Sequence, residues 1–116
     1  TRGLPEEIIN NKYDYIISTY AIHHIPDEEK IKFIKSLLKL LNVNGKLLIG
    51  DVSFETWKEL DICKEMHKEI WDNEEFYFVA NDMMMSLNEL FYCNYEKISY
   101  CSGVLTVANV FDILPE

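Results

Sequence analysis

The sequence predicts a mixed α/β fold in which two parallel strands joined through a helix are followed by an antiparallel C-terminal hairpin. Three observations carry this. Tyr15-Ile16-Ile17 and Leu47-Leu48-Ile49 are short, uninterrupted apolar runs, the pattern of strands covered on both faces. Between them, Ile31, Ile34, Leu37, Leu38 and Leu41 recur at steps of three and four, which lines one face of a helix. A helical connection between two buried strands makes them parallel, with a right-handed crossover. Near the end, β-prone runs at 95–101 and 104–111 flank Ser102-Gly103, a hairpin signal.

In chain order, residues 1–12 form a lead-in. Gly3, Pro5, Asn10 and Asn11 favour turns, and Glu6-Glu7-Ile8-Ile9 has room for one helical turn. The first strand is expected at 13–18. Asp27 is the expected N-cap of the first helix, with Pro26 outside it and Glu28 and Glu29 in the first turn, where the helix dipole favours anions. This helix is expected to reach Leu41, with Lys30, Lys32, Lys35 and Lys39 on its solvated face. Asn42 stops it, and Asn44-Gly45 turns the chain into a second strand at 46–52. A charge-dense helical stretch at 54–72 is expected to lie over the sheet rather than build its core. Asn81 or Asp82 caps a third helix that runs to Tyr92, with Met83, Leu87, Leu90 and Phe91 on one side. Methionine there is either core filler or an adaptable substrate lining. The order is β-α-β-α-α-β-β.

A chain of 116 residues has the length of one domain, 1–116. Its net charge of −9 disfavours non-specific binding to nucleic acid or anionic membranes, which requires clustered Lys and Arg. No apolar run approaches the ~20 residues of a membrane helix. A chain of this character is expected in the cytoplasm, and Cys63, Cys93 and Cys101 are expected to be reduced, buried thiols.

The chemistry is expected beyond the carboxyl end of the first strand, where open α/β sheets bind ligands. There the chain reads Ser18-Thr19-Tyr20-Ala21-Ile22-His23-His24. The run YDYIISTYAIHHIPDEEK, a helix, and then NGKLLIGDVSFE resemble class I S-adenosylmethionine-dependent methyltransferases, above all small bacterial ones carrying a STYAIHH segment after the fourth strand. The resemblance implies a Rossmann-like sheet of which this chain holds strands four to seven, the C-terminal half. It implies S-adenosylmethionine as cofactor in the complete protein. It also implies that Ser18, Thr19, Tyr20 and Ala21 face the methionine end of that cofactor, partly through backbone groups. The family's glycine-rich loop and ribose-binding acid belong to its first two strands. Gly3, Gly45, Gly50 and Gly103 are too far apart to form such a loop, so the donor-binding half is expected to be missing and the chain alone inactive.

His23 and His24 are the candidate catalytic residues, able to bind an acceptor or take its proton near neutral pH. The plainer alternative is that one histidine packs inward and the other is solvated, because a sulfonium donor needs mainly alignment of its acceptor. Asp51 is either a turn former or a substrate contact. No metal is expected, since no third ligand stands at a recognisable spacing from the histidine pair. Two functions follow: methyl transfer to an unidentified small-molecule acceptor, or a non-catalytic α/β interaction module or inactive fragment. In the family's sheet the fourth strand pairs with the first, so strand 13–18 is expected to be a bare edge through which the chain self-associates.

Overall fold

The computed structural model describes Glu6 and residues 11–71, 75–88 and 91–109. Its elements are β1 (Tyr13–Thr19), a 3-10 turn (Ile22–His24), α1 (Asp27–Leu38), β2 (Leu41–Phe54), α2 (Trp57–Met66), β3 (Phe78–Val79), α3 (Ala80–Leu87), β4 (Phe91–Ser99) and β5 (Ser102–Asn109). The α/β class holds. β1 pairs parallel with β2, β2 antiparallel with β5, and β5 antiparallel with β4, giving the order β1-β2-β5-β4. β3 adds a two-residue parallel bridge at the carboxyl end of β2. No helix among the described residues is long and apolar enough to cross a membrane.

The two apolar runs have different fates. In β2, Leu47 and Ile49 are fully buried on one face, while Leu48 on the other is half-buried. β1 is instead an edge strand, and the expectation of burial on both faces fails there. Among the described residues it pairs only with β2, and Tyr15 and Ile17 stay 65% and 68% exposed. Ile16, on the other face, packs against the main core with Ile22, Ile34, Leu47 and Leu105.

The turn chemistry at Asn44-Gly45 is real but sits inside the ladder. α1 ends at Leu38, so Leu41 already pairs with Tyr13. The register then resumes at Tyr15 and Lys46, and the extra residues bulge out. Asn44 takes a left-handed φ of 67°. A Cβ at Gly45 would lie 2.9–3.1 Å from the backbone oxygens of Asn42, Asp14 and Tyr13, so only glycine fits. The hairpin turn falls at Tyr100-Cys101 rather than Ser102-Gly103, since Gly103 is paired inside β5. The Tyr95 ring occupies the space over Gly103, and its hydroxyl is 2.7 Å from Ser53 Oγ.

The helices are shorter than their periodicity suggests. α2 starts behind Thr56, whose Oγ1 accepts from Glu59 N at 3.2 Å, and it buries Leu60 and Cys63 in a second small core with Phe54 and Val79. It therefore builds core as well as covering the sheet. Pro26, not Asp27, occupies the cap position of α1, and Asp27 opens its first turn. Val79 precedes α3 as its cap, and Phe91 and Tyr92 belong to β4. Asp82 instead accepts from Trp57 Nε1 at 2.5 Å. Met83 is buried core filler. The cysteines are free, Cys63 buried and the others half-buried, and burial pushes the Cys93 thiol up to about 11. The expected turn at 6–9, apart from Glu6, Leu90 and the strand end at 110–111 lie outside the described residues.

One charged side chain contradicts the expectation outright. Lys30 is fully buried rather than solvated. Its Nζ donates to Ile25 O at 2.8 Å, to Asp27 Oδ1 at 2.8 Å and to Phe76 O. An ammonium has three donors, and all three are used. Lys30 therefore ties the start of α1 to the segment before β3. Lys30→Ala would leave two carbonyls unpaired and is expected to cost at least about 2 kcal/mol. The exposed Lys32→Ala should stay within about 0.5 kcal/mol. Urea denaturation of both variants measures the difference.

Candidate functional site

Because β1 and β2 are parallel, their carboxyl ends open onto the same edge of the sheet. Tyr20 N donates to Gly50 O at 2.8 Å, which extends the ladder one residue past β1. The chain then leaves the sheet abruptly, and Tyr20 adopts a left-handed φ of 54°. That conformation is costly for an aromatic residue, about 1–3 kcal/mol, and such strain gathers at ligand sites. Ser18 is half-buried, while Thr19, Tyr20 and Ala21 are exposed. The four expected donor-facing residues therefore sit together on an accessible rim.

Next comes the 3-10 turn. Ile22 is fully buried and pins it to the core. Asp51, 2% exposed, reaches up from β2 to hold its backbone. Asp51 Oδ2 accepts from Ile22 N at 3.0 Å and His23 N at 3.1 Å, and Oδ1 accepts from Val52 N at 2.8 Å. Oδ1 also lies 2.6 Å from His23 Nδ1. A carboxylate in this position accepts the ring proton, which fixes that proton on Nδ1 and turns the Nε2 lone pair outward. Asp51 is thus an anchor rather than a substrate contact.

One histidine packs inward and the other is solvated, but the inward ring meets the Asp51 carboxylate rather than backbone. The His23 side chain is 15% exposed and that of His24 66%. Their ring centroids lie 4.0 Å apart with planes tilted by 47°. His23 O accepts from Phe76 N at 2.7 Å, which draws the next segment alongside. That contact delivers Glu75, whose Oε2 is 3.0 Å from His24 Nδ1 and 3.8 Å from His23 Nε2. Beyond it stands an aromatic wall, with Tyr77 edge-on to Trp71 at 5.2 Å and 6.4 Å from Phe54. A cleft of about 260 Å³ opens on one side, lined by Val52, Phe54, His67, Trp71, Tyr77 and Tyr100. Another of about 200 Å³ is lined by Asp27, Trp57, Lys64, Trp71, Glu75 and Tyr77. Apolar walls with a few polar groups are what small-molecule sites offer.

No protein-family model matches the chain. It is 39% identical over 72 residues to an uncharacterized methyltransferase of Staphylococcus carnosus strain TM300, covering 61% of this chain and 32% of that protein. It is 37% identical over 75 residues to an uncharacterized methyltransferase of Bacillus cytotoxicus, covering 65% and 34%. Among solved structures, magnesium protoporphyrin IX methyltransferase from Synechocystis, determined with bound SAH, superimposes with a TM-score of 0.60 at 19% identity, covering 85% of this chain and 46% of that one. A DhpI complex with SAM superimposes with a TM-score of 0.62 at 16% identity, covering 84% and 50%. The chain is methyltransferase-like in sequence and in fold. It spans about a third of the length of the curated relatives it matches.

Glu75 is the site residue that sequence reasoning missed, and for Asp51 that reasoning offers a turn former or substrate contact rather than an anchor. An acid directly after a buried strand is a usable signal for Asp51. Glu75 stands in a break with no motif and reaches the histidines only through the backbone pairing of Phe76. Asp51→Ala would strip the acceptor from the Ile22, His23 and Val52 amides and should cost about 3 kcal/mol. Hydrogen exchange would register it as lost protection at the Ile22 and His23 amides, with the β2–β5 amides less affected.

Proposed function

We propose that this chain is the C-terminal part of an S-adenosylmethionine-dependent methyltransferase acting on a small-molecule acceptor in the cytoplasm. The strained Tyr20 at the carboxyl end of β1, facing an open rim, is the observation that carries this. In this reading Ser18, Thr19, Tyr20 and Ala21 lie against the methionine end of the donor. His23 and His24 stand on the acceptor side, His23 oriented by Asp51 and His24 free to bind acceptor or take its proton. The aromatic wall of Phe54, Trp71 and Tyr77 shapes the acceptor's space. The glycine-rich donor-binding half lies elsewhere in the complete protein, and neither nucleic acid nor membrane is a partner.

Calorimetry tests the division of labour. The 116-residue chain should show no low-micromolar binding of S-adenosylmethionine, and one such site would refute the half-enzyme reading. In the protein that joins this segment to a glycine loop, Tyr20→Gly should relieve backbone strain yet weaken donor binding about tenfold, or about 1.4 kcal/mol. His24→Ala should lower turnover more than donor affinity. Kinetics unchanged by both would favour the non-catalytic module.

We also propose that the isolated chain self-associates through β1. Tyr15 and Ile17 give this edge an uncovered apolar face, and no lysine or proline interrupts the strand. Sedimentation across a concentration series should show a dimer or larger species. Ile17→Lys should shift it to monomer, and a wild-type chain monomeric at every concentration would end the proposal.

A further inference from the structure

We propose that His23, His24 and Glu75 form a binding site for a divalent transition-metal ion of the zinc class. The ligand atoms of the three residues lie within 4.8 Å of one another. A tetrahedral ion about 2.1 Å from each ligand needs them roughly 3.4 Å apart. The His24–Glu75 separation of 3.0 Å and the His23–Glu75 separation of 3.8 Å bracket that value.

Two further features point to an ion rather than to a simple histidine–glutamate pair. Among the described residues, Glu75 Oε2 is the one buried side-chain oxygen or nitrogen that makes no hydrogen bond, although His24 Nδ1 lies 3.0 Å away. Such an atom is costly unless something with suitable geometry approaches it. The second feature is Asp51. Metal-binding histidines regularly give their other ring N–H to a carboxylate, which sets the tautomer and raises ligand basicity. His23 makes that contact to Asp51 at 2.6 Å, and the carboxylate is itself held by three backbone amides. Its Nε2 is thereby presented to Glu75.

Two imidazoles and one carboxylate suit Zn²⁺ and its neighbours, whereas Mg²⁺ and Ca²⁺ prefer all-oxygen sets. Three protein ligands leave a fourth position, the arrangement of a reactive rather than a purely structural zinc. The site depends on residues of this chain alone and does not require methyl transfer to be the protein's activity.

The test uses the full 116-residue chain, stripped with a chelator and titrated with Zn²⁺ against a chromophoric competitor. About one equivalent should bind, and Co²⁺ should give the visible absorption of a low-symmetry site. Glu75→Gln and His24→Ala should each weaken binding at least tenfold, and Asp51→Asn by about 10–100-fold. Asp61→Asn, exposed on α2 and outside the cluster, should leave binding unchanged. Circular dichroism identifies any variant that fails to fold, and Glu75→Gln then carries the test because it preserves side-chain shape. No binding by the wild-type chain, binding by Glu75→Gln and His24→Ala equal to that of the wild-type chain, or loss through Asp61→Asn instead would each overturn the proposal.

Discussion

The candidate site depends on one buried carboxylate. Asp51 sits at the end of the central strand, in the low-dielectric layer between sheet and turn, where an unpartnered charge would be expensive. It is satisfied by the Ile22, His23 and Val52 amides and by the His23 ring. Those same contacts force the chain after β1 to coil tightly rather than wander. The position of both histidines, and the tautomer of one, are therefore consequences of a single strand residue.

A second buried charge extends that order sideways. Lys30 on α1 joins Ile25 O to Phe76 O, while Phe76 N returns to His23 O. The segment before β3 is held from both directions. Glu75 and the Tyr77 wall take their places against the turn because their backbone is fixed by a lysine and a histidine carbonyl. The polar network and the aromatic wall are thus one assembly, with hydrogen bonds setting position and ring contacts filling the space beside it.

The sheet explains why this assembly stands at an edge. β2 is paired on both sides and buries Leu47, Ile49, Asp51 and Ser53 on one face, so it is the rigid member. Among the described residues β1 is paired on one side only, and it keeps two large apolar side chains in the open. The strained Tyr20 is tolerated because its amide is still fastened to Gly50 and the turn beyond it is anchored by Ile22 and Asp51. A rigid strand carrying a strained, accessible rim is a workable platform for a ligand.

Much of this was legible in the amino-acid order. Apolar runs, a helical stripe and turn residues are local signals, and they located β1, α1, β2 and the hairpin, together with the loop at 18–24. The family resemblance rested on that same loop. Boundaries were less legible: the stripe through Leu41 overran α1, since Leu41 serves the ladder once Asn44 and Gly45 bulge out. Lys30 looked solvated because spacing cannot show a carbonyl arriving from 76. Asp51 as anchor and Glu75 as third member of the histidine cluster were decided only by tertiary structure. Each depends on which distant segment packs alongside, and burial and hydrogen-bond geometry are properties of that packing rather than of neighbours in sequence.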